Sequence, residues 1–128
     1  VQNAAKKERP VYLSLTQFAW PVTAIASIVH RITGVILFIG IGYLLWLLNL
    51  ALSSPVGFAD SQALLAMPLP KLALIGVVGL LIYHLVAGVK HMIMDFHIGD
   101  TIEAASSAAY VVFAISIVLT VLVGIWLW

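Results

Sequence analysis

Ser27, His30, Arg31 and Gly34 recur at offsets of three, four and seven inside a run that is otherwise apolar from 22 to 52. On a helix those offsets bring all four to one face. An ionisable group in hydrocarbon is expensive, so a break of this kind marks a functional site. The Arg31 guanidinium stays charged and needs an anion or strong acceptors beside it. The plain alternative has Arg31 reaching to the headgroups while Ser27 bonds its own backbone.

His84 stands about halfway along a second run, 71–96, with no other ionisable group within a turn. A neutral imidazole there either bonds a carbonyl on a neighbouring helix or serves as an axial ligand to haem iron. Gly88 follows one turn on along the same face, where a missing side chain clears room for a flat macrocycle. His91 and Asp95 continue that face. The rise from His84 to His91 is about 10 Å, too long for both imidazoles to share one iron. His91 with Asp95 reads instead as an imidazole oriented by a carboxylate near the membrane surface. His97 reads as a solvated loop residue.

A haem on His84 would turn its propionates toward water, because carboxylates in hydrocarbon are costly. If the first two spans pack antiparallel, His30 and Arg31 lie at a similar depth, and the buried arginine gains its anion. The two breaks in the apolar pattern then explain each other. His30 remains open as a second axial ligand, although its place beside Arg31 better fits a propionate or substrate neighbour.

The elements that must carry these groups follow from composition. Of 128 residues, 63% are hydrophobic and 9% are charged, against about 25% charged in an ordinary soluble domain. A soluble globular domain is excluded. At about 20 apolar residues per crossing, the chain holds three spans and no separate catalytic domain. The expectation is an all-α protein with an interfacial N-terminal arm at 1–21, a first span at 22–52, a loop at 53–70, a second span at 71–96, a loop at 97–107 and a third span at 108–128. Pro21 suits the first turn of a helix, and Ser53, Ser54, Pro55 and Gly57 form a breaker cluster. Asp100 followed by Glu103 resembles a helix start with an aspartate cap. A run of roughly 30 residues is too long for a signal-peptide core, so the first span is expected to stay. The chain opens on Val1 rather than methionine, and a trimmed start is expected.

Lys6, Lys7, Arg9 and Arg31 lie toward the N-terminal side and Lys90 flanks the second loop, with Lys71 alone opposite. Positive charge gathers on the cytoplasmic side, which puts the N-terminus inside and the C-terminus in the periplasm. With no cysteine, disulfides and cysteine-ligated iron-sulfur clusters are excluded on this chain. No phosphate-cradling Gly-x-x-x-x-Gly-Lys-Ser/Thr motif and no nucleic-acid signature is present. The glycines read as close-packing points.

Arg9-Pro10, the segment Ser27-Ile-Val-His-Arg-Ile-Thr-Gly34, and the segment His84-Leu-Val-Ala-Gly-Val-Lys-His-Met-Ile-Met-Asp95 resemble the cytochrome b membrane-anchor subunit of succinate dehydrogenase, respiratory complex II. The likeness spans nearly the whole chain and is closest to the proteobacterial branch, with Val11-Tyr-Leu-Ser-Leu15 in place of the mitochondrial Ser-Pro-His stretch.

The resemblance implies a multi-pass protein of the bacterial inner membrane. It implies that His84 is an axial ligand of haem b, in a helical bundle shared with a second small membrane subunit that brings the other ligand. Ser27 and Arg31 match residues of a ubiquinone pocket, His30 and Arg31 match neighbours of the haem propionates, and His91, within the second motif, is expected among the cofactor-binding residues. The expected partners are that second anchor, an iron-sulfur subunit and a flavoprotein subunit, which carry the clusters, the FAD and the dicarboxylate chemistry. A quinol-fumarate reductase anchor is the near alternative. A scaffold or transporter subunit is the distant one, although a transporter would more usually show repeats and broken helices.

Overall fold

The computed structural model describes residues 14, 16–17 and 19–128. The sequence readings that rest on Lys6, Lys7, Arg9, Pro10 and most of the N-terminal arm lie outside the described residues. The rest is all helix: α1 (Val22–Ser53), α2 (Pro55–Ala66), α3 (Pro68–Asp95) and α4 (Ile102–Leu127). Among the described residues α1, α3 and α4, at 32, 28 and 26 residues, are long and apolar enough to cross a membrane. No strand occurs among them.

Proline sets most of the boundaries. Pro21 sits one residue ahead of α1 in an extended conformation, and its carbonyl accepts the backbone N–H groups of Ala24 and Ile25 at 3.0 and 3.1 Å. The segment read as a loop contains α2. Ser54 is extended and its Oγ accepts the Gly57 N–H at 2.9 Å, while Pro55 fills the first helical position, where a missing N–H costs nothing. The same Ser-Pro pair thus ends one helix and opens the next. Met67 and Pro68 repeat the device, with Met67 extended between α2 and α3.

α3 ends at Asp95, and the connection to α4 turns through His97 at φ 58° and Gly99 at φ 68°. The cap of α4 is Thr101, whose Oγ1 accepts the Ala104 N–H at 3.3 Å, rather than Asp100. The 102–107 stretch is helical although its serines and glutamate break the apolar pattern. Its alanines favour helix and Glu103 complements the N-terminal dipole.

Small residues let the spans approach. Tyr83, Ala87 and Val112 form a buried cluster with Val29, Val86 and Phe113 packed against it, and Ala105 and Ala109 of α4 are also buried. Tyr83 joins three helices: its hydroxyl donates to the Ala26 carbonyl of α1 at 2.8 Å, and its ring stacks on Phe113 of α4 at 5.3 Å between centroids. At the opposite end Tyr43 donates to the Pro70 carbonyl at 3.0 Å. The outer faces are apolar and bare, with Phe38, Ile39 and Trp126 at 86%, 76% and 82% exposure. In water such faces would drive aggregation; here they suit lipid and other helices.

Candidate functional site

α1 and α3 run antiparallel, as the pairs Tyr43–Pro70, Gly40–Val77, Thr33–His84 and His30–His91 show by their opposed numbering. The polar groups of the two spans meet at one level of this seam. His30 and His84 stack with ring centroids 4.1 Å apart and planes 12° from parallel. His91 also contacts His30, tilted by 54° at 5.1 Å between centroids.

Two glycines make this stack possible. A Cβ built on Gly34 would stand 3.0 Å from His84 Cε1, and one on Gly88 would stand 3.6 Å from His30 Nε2. Each helix therefore receives the other's imidazole over a glycine, and at Gly34 the approach is tight enough that an added Cβ would push the ring back by a few tenths of an ångström. Above Gly88 the nearest side-chain atom is His30 Nε2.

The hydrogen bonds of His84 fix the tautomer of its neutral ring. Nδ1 lies 3.1 Å from the His30 carbonyl oxygen and 3.1 Å from Thr33 Oγ1, and the Thr33 hydroxyl donates to that same carbonyl at 2.8 Å. A carbonyl offers only lone pairs, so Nδ1 must carry the proton. The Thr33 hydrogen already points at the carbonyl, so its oxygen presents a lone pair to the same N–H. In that neutral tautomer Nε2 carries the lone pair, with no partner among the described residues. An imidazole tied through Nδ1–H to a carbonyl and a hydroxyl, with Nε2 free, is the arrangement a metal-ligating histidine requires. The residues therefore fit an axial haem ligand. His30 Nε2 is the other unsatisfied atom of the site, buried and without a partner among the described residues. Among the described residues no group of three or more His, Cys, Asp or Glu side chains forms a chelating cluster, so the three imidazoles are a stacked pair with a third ring tilted against it and not a metal cage.

Ser27 and Arg31 do not share the environment of His30 and Gly34. Ser27 is half-buried and makes no hydrogen bond among the described residues, not even to its own helix, whereas Arg31 is exposed and in no ion pair there. One residue of rotation, about 100°, carries Arg31 from the α1–α3 seam to the flank of α1. His91 is not oriented by Asp95. It leans back toward the preceding turn, as helical side chains do, and meets His30, while Asp95 ends the helix exposed. His97 is exposed, 3.4 Å from Asp100.

Thr33 was missed by reading the sequence, because a lone threonine in an apolar helix ordinarily bonds its own backbone and does no more. The signal available was its place three residues after His30 and immediately before a glycine.

Three antiparallel-connected spans with an imidazole stack sunk between two of them define a polytopic helical membrane protein with an intramembrane site suited to a cofactor ligated through nitrogen. The family described as "Succinate dehydrogenase/Fumarate reductase transmembrane subunit" matches residues 5–123, and the chain belongs to it. Among its relatives, the succinate dehydrogenase cytochrome b556 subunit of Coxiella burnetii is 38% identical over 122 residues, covering 94% of this chain and 98% of that protein. The protein of the same name from Paracoccus denitrificans is 38% identical over 114 residues, covering 89% and 88%. That of Rickettsia prowazekii is 30% identical over 125 residues, covering 98% of each.

Proposed function

We propose that this chain is the membrane-anchoring subunit of a succinate:ubiquinone oxidoreductase in the bacterial inner membrane, with its N-terminus in the cytoplasm and its C-terminus in the periplasm. His84 Nε2 would hold haem b from this chain, and a second small membrane subunit would supply the other protein ligand. The observation that carries this reading is the tether on His84: Nδ1–H held by the His30 carbonyl and Thr33 Oγ1, both at 3.1 Å, with Nε2 free. A histidine that merely stabilised the seam would gain nothing from leaving its second nitrogen unpaired in an apolar span.

Haem, when bound, supplies one-electron exchange. This chain's residues hold its ligand and serve its surroundings: His30 and Arg31 accompany the propionates, and His91 backs the His30 ring. Ser27 and Arg31 serve the quinone, the hydroxyl by donating to a quinone carbonyl and the guanidinium by favouring the negative charge that builds on it during reduction. A free Ser27 hydroxyl and an unpaired Arg31 on one flank support that assignment. Succinate oxidation, FAD and the iron-sulfur clusters belong to the flavoprotein and iron-sulfur subunits docked at the cytoplasmic rim.

A reduced-minus-oxidised spectrum of the purified complex tests the reading. A b-type band is expected, and His84→Leu should abolish or displace it; a wild-type complex without the band would refute haem binding. Turnover with ubiquinone against menaquinol separates this function from fumarate reduction.

A further inference from the structure

Thr33 is 3% exposed and belongs to neither the haem nor the quinone residues assigned above. Its hydroxyl nevertheless occupies a junction. It donates to the His30 carbonyl at 2.8 Å and faces His84 Nδ1 at 3.1 Å, so one oxygen links the backbone of α1 to the imidazole of α3. We propose that Thr33 is a positioning residue that sets how strongly His84 Nε2 donates to the haem iron, and so tunes the midpoint potential of the haem. The inference rests on the haem reading of His84.

The reasoning is chemical. A hydrogen bond accepted from Nδ1–H draws the imidazole toward imidazolate character and raises the basicity of Nε2. A more basic ligand favours ferric over ferrous iron and lowers the potential. Two acceptors share the Nδ1 proton here. One of them, the His30 carbonyl, is already engaged by the Thr33 hydroxyl, which weakens it as an acceptor for His84. The threonine oxygen more than offsets that loss, because a hydroxyl that donates a hydrogen bond is polarised into a stronger acceptor. Its β-branch restricts the side-chain torsion, so the hydroxyl is held in place rather than merely available. Gly34, next in sequence, keeps His84 within reach of both acceptors.

Removing the hydroxyl without changing shape isolates the effect. Thr33→Val keeps the β-branch and deletes one acceptor; Thr33→Ala deletes it with no β-branch; Thr33→Ser keeps the oxygen. The experiment is a redox titration of the haem in the assembled complex, followed at the b-type band, with the electron paramagnetic resonance g-values of the ferric form as a second readout. Thr33→Val and Thr33→Ala should both raise the midpoint potential. The shift expected is up to about fivefold in ferric-over-ferrous preference, the worth of a single neutral hydrogen bond, or about 41 mV for a one-electron couple at about 59 mV per tenfold. Thr33→Ser should stay near wild type in both readouts.

An unchanged potential in Thr33→Val and Thr33→Ala overturns the proposal. So does an equal shift in Thr33→Ser, which would assign the effect to the methyl group. A downward shift overturns it too, because Thr33 would then be donating to Nδ1 in the opposite tautomer. The haem reading fails separately and visibly, by the absence of the band from the wild-type complex, and takes the proposal with it.

Discussion

Replacing Gly34 by alanine tests the seam at its tightest point. The added Cβ would stand 3.0 Å from His84 Cε1, closer than two carbons pack, so the ring must retreat by a few tenths of an ångström. It has little freedom to do so, being held by two 3.1 Å contacts at Nδ1 and stacked on His30 at 4.1 Å. Overpacking of this kind costs about 1–3 kcal/mol. Alanine returns about 0.8–1.0 kcal/mol over glycine within a helix. The balance is about 1 kcal/mol against the ligating arrangement, or about a fivefold loss in its population. Gly88→Ala is the matched control, since its Cβ would meet His30 Nε2 at an ordinary 3.6 Å and the helix preference should dominate. The assay is transfer of haem from the detergent-solubilised complex to excess apomyoglobin, read spectroscopically with subunit stoichiometry checked on a gel. Gly34→Ala should release haem several-fold faster than wild type while Gly88→Ala stays close to it. Equal retention in Gly34→Ala, or equal loss in both variants, would refute the assignment of Gly34 as the contact that seats His84.

Arg31→Leu should lower ubiquinone reduction by about tenfold or more, the worth of a charge-assisted hydrogen bond, while dye-coupled succinate oxidation persists; loss of both activities would make Arg31 an assembly residue. Tyr83→Phe deletes the 2.8 Å bond to the Ala26 carbonyl and should destabilise the α1–α3 pairing by about 0.5–1.5 kcal/mol, seen as a lower melting temperature of the complex. Ser54→Ala removes the cap of α2 at a cost of about 1 kcal/mol, and hydrogen exchange should quicken in α2 while the haem spectrum stays unchanged.

The three spans were legible because hydrophobic length is a direct record of bilayer thickness. The stack of His30 against His84 was half legible: each residue declared itself by polarity in an apolar run, and antiparallel packing brought them to one depth. Their direct contact was not, because ring stacking depends on the rotation of each helix, which short motifs do not encode. Helix α2 was obscured since Ser54-Pro55 signals an interruption and a start with the same two residues. Asp95 shares a face with His91 but does not pair with it, because a helical side chain leans toward the turn before it and His91 meets His30. Thr33 was hidden by its own ordinariness.

A helix is a screw, and its azimuth about its own axis is one coordinate. Tyr83 pins that coordinate for α3 at two points, through Ala26 on one neighbour and Phe113 on another. Each residue advances the screw by about 100°, so once the phenol is latched the bearing of His84 is decided, and Gly88 and His91 inherit it one and two turns on. The aim of the imidazole column is thus delegated to a side chain that takes no part in its chemistry. A slip of α3 by a single residue would swing the whole column off α1.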